Sequence, residues 1–67
     1  MIKTLTVKEA AAELRRHGMA ISDLSLAAGL EQGVYPFGVC IRMERSRVFQ
    51  IFAPLLERWI AEREVAE

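Results

Sequence analysis

The chain has 67 residues, of which 52% are hydrophobic, with nine basic and nine acidic side chains, one histidine and one cysteine. A chain of that length makes one domain, residues 1–67, and buries only about 60% of its unfolded surface. The lone cysteine excludes an internal disulfide, and the zero net charge argues against indiscriminate binding driven by phosphate neutralisation.

The apolar content is generous for so small an interior, so a partner surface or a homodimer is expected. No apolar run approaches the roughly 20 residues that span a bilayer, and the first residues lack a signal-peptide pattern, so a cytoplasmic protein with no membrane contact is expected.

Thr6-Val7-Lys8-Glu9 has the form of a capping box, with Leu5 at the staple position before it. Val7, Ala10, Ala11 and Leu14 follow at helical spacing, and Arg15, Arg16 and His17 suit the negative end of the helix dipole. Gly18 stops the run, so a helix is predicted over about residues 7–17. After the connector Met19-Ala20-Ile21, Ser22-Asp23 offers a second N-cap. Leu24, Leu26, Ala27 and Leu30 are expected to face inward on a helix that Gly33 ends. Gly29 inside that helix costs about 1 kcal/mol relative to alanine, a sign either of close approach by another backbone or of plain tolerance.

Gly33-Val34-Tyr35-Pro36-Phe37-Gly38 forms a stiff corner. Two glycines supply conformational freedom, Pro36 fixes its own φ, and Phe37 lies between Pro36 and Gly38. Beyond it, Val39, Ile41 and Met43 alternate with Cys40 and Arg42. Glu44-Arg45-Ser46 reads as a turn, and Arg47 to Phe52 alternates again, giving a two-stranded β-hairpin over residues 39–52. Pro54 opens a last helix with Leu55, Leu56, Trp59 and Ile60 as its apolar stripe, and Arg58 and Glu62 spaced to pair. The predicted class is α+β, in the order helix, helix, hairpin, helix.

Little here points to catalysis. His17 and Cys40 lie on different elements, and there is no Gly-rich phosphate loop, serine elbow or ligand cluster, so no enzyme, cofactor, metal or small-molecule substrate is expected. The charge distribution is more telling than its sum. The hairpin carries Arg42, Arg45 and Arg47 against Glu44 alone, while the tail from residue 54 is acidic. Two short helices with a tight connector can form a helix-turn-helix, and an arginine-bearing hairpin can grip phosphates as a wing.

The ordered set Thr6-Val7-Lys8-Glu9-Ala10-Ala11, Ser22 through Gly33, Pro36-Phe37-Gly38, Met43, Phe49, Ile51, Pro54, Leu56 and Trp59-Ile60 resembles the small winged-helix proteins of phages and prophages, the excisionase-like and MerR-like helix-turn-helix family. The resemblance spans about residues 4–61. It implies a winged helix that binds double-stranded DNA, either as an accessory factor to a phage integrase or recombinase or as a transcriptional regulator. It makes residues 23–32 the recognition helix in the major groove, with Asp23, Ser25, Ala28 and Gln32 facing outward, and puts Arg42, Arg45 and Arg47 on phosphates. Ala27 and Gln32 stand where such proteins commonly carry basic residues, and extra residues fill Gly18 to Ile21. Losing those cations favours a second expectation: the same fold binding a recombinase, repressor or host defence protein without DNA. Met19, Ile21, Val34 or Tyr35, together with the acidic last helix, would form its contact surface.

Overall fold

The structure, a computed structural model, describes residues 1–64. The element order is β1 (Thr4–Leu5), α1 (Val7–Arg16), α2 (Asp23–Glu31), β2 (Gly38–Arg42), β3 (Arg47–Phe52) and α3 (Ala53–Arg63). The result is a small α+β fold of three helices and one antiparallel sheet in the order β1-β3-β2. No helix among the described residues is long and apolar enough to cross a membrane.

The caps read from the sequence form as expected. Glu9 N–H donates to Thr6 Oγ1 at 3.0 Å, and Thr6 N–H donates back to Glu9 Oε1 at 2.9 Å. Ser22 Oγ caps α2 by accepting from Ser25 N–H at 3.1 Å. Both helices also end alike. Gly18 N–H bonds to Arg15 O and Met19 N–H to Leu14 O, while Gly33 N–H bonds to Leu30 O and Val34 N–H to Gly29 O. That paired pattern needs a left-handed residue, and Gly18 and Gly33 take φ of +95° and +73°.

The sheet has three strands where the sequence suggested two. Thr4 and Leu5 pair with Phe52 and Ile51, so the segment before α1 is a short edge strand as well as a lead-in to the helix. Ala53 N–H reaches Lys3 O at 3.0 Å and extends this pairing to the start of α3. In the hairpin, Val39 opposes Gln50 and Ile41 opposes Val48 on one face. Gly38 opposes Ile51, Cys40 opposes Phe49 and Arg42 opposes Arg47 on the other. The second face turns toward the core.

Ala10, Ala11 and Leu14 of α1, Leu26 and Leu30 of α2, Phe37, Ile51, and Leu56 and Ile60 of α3 make one buried cluster. Phe37 is fully buried at its centre. Tyr35 stacks on Phe37 with ring centroids 5.2 Å apart, and Trp59 meets Phe37 edge-on at 5.2 Å and Tyr35 at 5.9 Å. The corner is therefore docked on α3 by aromatic packing.

Several expected inward residues are not inward. Leu24 is 84% exposed, and Leu55 lies outside the α3 stripe. Ala27 is half-buried. Ile21 belongs to the core, and Met19 and Tyr35 pack against it, which leaves only Val34 exposed from the patch expected around the connector and corner. The close approach to Gly29 comes from the Tyr35 ring, not from backbone. Arg58 and Glu62 form no ion pair; Arg63 instead covers the Trp59 ring at 4.1 Å and donates to Trp59 O at 3.3 Å.

Candidate functional site

A helix with apolar residues on nearly every side must leave some of them outside. Leu26 and Leu30 take the core side of α2, so Leu24, Ser25, Ala28 and Gln32 form its outer face. Glu31 lies three residues after Ala28 and continues that ridge toward the hairpin.

Arg42 and Arg47 meet Glu31 there. The antiparallel register sets the two arginines directly opposite each other at the end of the hairpin, on the face turned toward α2. Like charges so placed repel across a strand pair unless a counter-charge is supplied. Glu31 supplies it: Arg42 Nη2 donates to Oε1, and Arg47 Nη1 donates to Oε2 at 2.5 Å. Each carboxylate oxygen thus takes one guanidinium. The Arg42 contact first, then the Arg47 contact, hold the Glu31 carboxyl below the ordinary glutamate range, and Glu31 in turn raises the Arg42 guanidinium. Phe49 lies under the Arg47 guanidinium, 5.6 Å from ring centroid to Cζ.

The three charges are unequally covered. The Glu31 side chain is 21% exposed, whereas Arg42 and Arg47 are 74% and 51% exposed. Arg45, at the turn closed by the 2.8 Å bond from Met43 N–H to Ser46 O, has no ion-pair partner among the described residues.

Of the predicted site residues, the structure brings together Ser25, Ala28 and Gln32 on one exposed helix face and Arg42 and Arg47 at its end. Arg45 sits at the turn beyond them. Asp23 stands apart: it is half-buried and pairs at 3.4 Å with Arg15, which also donates to Ile21 O at 2.9 Å. That contact fastens the connector to α1, so Asp23 belongs to the helix junction rather than to the outer face. Between α2 and β2, Gly33 takes the left-handed turn after the helix, Pro36 and the buried Phe37 follow, and Gly38 opens β2. Gly38 allows close strand contact, since a Cβ there would sit 2.7 Å from Gln50 O.

Glu31 is the residue that sequence reasoning missed. Its partners lie 11 and 16 positions away, and nothing local marks it. His17 contacts Glu13 and Glu64, which links the C-terminal ends of α1 and α3 beside a cleft lined by Leu14, Met19, Trp59 and Ile60. Cys40 is a half-buried strand residue. The hairpin's outer face exposes Val39, Ile41 and Val48. No family model, characterised protein or solved structure matches the chain.

Proposed function

We propose that the protein is a winged-helix DNA-binding factor of phage or mobile-element type, acting as an excisionase-like accessory factor or a transcriptional regulator. In this reading α2 enters the major groove, and the end of the β2–β3 hairpin rests on flanking phosphates. The observation that carries it is the join made by Glu31, which binds the hairpin arginines to the end of an exposed helix so that helix and wing present one surface. Ser25 and Gln32 are the base-edge readers, Leu24 and Ala28 can meet thymine methyls, and Arg42, Arg45 and Arg47 meet phosphates. With so few contacts per chain, tight binding calls for a homodimer, an array of sites or a partner recombinase.

The test is fluorescence anisotropy with a short labelled duplex across a salt series. Each phosphate neutralised adds about 0.9 to the magnitude of the slope of log K against log salt, so Arg45→Ala flattens it by about that amount. A folded chain with no salt-sensitive binding to any duplex refutes the reading.

A second reading has its own observation. Val39, Ile41 and Val48 leave 44%, 46% and 39% of their surface exposed on one sheet face. Such a face suits a protein partner, such as a recombinase, a repressor or a host defence protein, bound without DNA. A DNA-free complex that Ile41→Asp abolishes would establish it.

A further inference from the structure

We infer that Arg42 and Arg47 form an oxyanion site that Glu31 occupies in the free protein, so that a DNA phosphate must displace an internal carboxylate to bind there. This inference rests on the DNA-binding reading and names a control built into the same surface.

The contact has the chemistry of a phosphate site. Two guanidiniums converge, each donating to a separate oxygen of one planar anion, as they would to two oxygens of a phosphodiester. The occupant is tethered at the last helical position of α2, the negative end of the helix dipole. Glu31 gains nothing from that position, and its depressed pKa follows from the arginines. Meanwhile the guanidiniums remain half or more open to solvent, so an incoming phosphate can reach them from outside while Glu31 approaches from the helix side. Sharing one carboxylate between two arginines leaves that trio with one net positive charge, and Arg45 adds a second. Removing the carboxylate raises the cluster from two to three.

The consequence is a measurable difference in salt dependence. Glu31→Gln keeps the side-chain shape, removes the competing charge and frees both guanidiniums. Binding of a short mixed-sequence duplex should then steepen in log K against log salt by about 0.9, and the same relation makes binding about eightfold tighter at 0.1 M salt. Glu57→Gln, which removes an exposed glutamate on α3 outside this cluster, changes net charge equally and should leave the slope unchanged. Circular dichroism confirms that each variant is folded.

Equal slopes for Glu31→Gln and wild type, with both binding DNA, would overturn the displacement while leaving the DNA reading in place. The same steepening in Glu57→Gln would overturn it too, because the effect would then be one of overall charge. Folded wild type and folded Glu31→Gln that both fail to bind any duplex would remove the DNA reading and this inference together.

Discussion

Gly29→Ala should destabilise the protein, against the usual trend for a glycine inside a helix. The substitution ordinarily stabilises by about 0.8–1.0 kcal/mol, because alanine loses less backbone entropy. Here the added Cβ would lie 2.2 Å from Tyr35 Cε2 and 2.6 Å from Cδ2, distances no carbon pair tolerates. The ring cannot simply turn aside. It stacks on Phe37 and meets Trp59 edge-on, and Pro36 follows it in the chain. Moving it forfeits aromatic contacts worth about 0.5–1.5 kcal/mol each, while leaving it compressed costs about 1–3 kcal/mol. Set against the helical gain, the net is a loss of up to about 2 kcal/mol, or a fall in Tm of up to about 14 °C for a domain of this size. The assay is urea denaturation followed by circular dichroism on a double-mutant cycle with Tyr35→Ala. Without the ring, Gly29→Ala should recover its ordinary stabilisation, and the coupling energy should equal the clash. If Gly29→Ala stabilises by about 1 kcal/mol with Tyr35 present, the packing of the corner against α2 is wrong.

The phase of α2 gives a second test: Leu26→Ala should cost about 2–5 kcal/mol and Leu24→Ala under about 0.5 in the same denaturation assay, since only Leu26 is buried. Gly38→Ala should cost about 1–3 kcal/mol or more, because the obstructing Gln50 O and Ile51 Cα are backbone atoms that cannot swing away; thermal melts measure it. Acid should weaken the fold. Hydrogen bonds from Thr6, Arg16 and Arg42 in turn hold Glu9, Glu13 and Glu31 below the ordinary glutamate value of about 4.3. The stability this contributes is present above that value and is lost as pH falls through the lower folded ones. The urea midpoint should therefore drop as pH falls through the carboxylate range, and less steeply in Glu31→Gln.

What could be read from the sequence was what depends on neighbours along the chain. Thr6 and Glu9 are three apart, and Gly18 and Gly33 act on the turns beside them, so caps and helix ends were legible before any coordinates. The inner face of α2 was not. Leu24, Leu26, Ala27, Ala28 and Leu30 cover most of the helix, so no period distinguishes the buried side. Leu26 and Leu30 are inside because Ile21 and the Tyr35–Phe37 corner fix the helix from both ends. β1 is two residues long, too short for alternation to register, and exists only because β3 has a free edge for it. The Glu31 cluster depends on strand register and helix position together. Three arginines in the hairpin suggested free positive charge, but the fold had already given two of them a partner.

The aromatic corner also has a practical consequence. Trp59 is the only indole in the chain, and it touches Phe37 and Tyr35 on one side and Arg63 on the other. Its emission wavelength should follow the hydration of that junction, and a neighbouring guanidinium is positioned to shift it. The molecule thus carries its own optical reporter for separation of the Tyr35–Phe37 turn from the last helix, readable in a fluorimeter without attaching a dye.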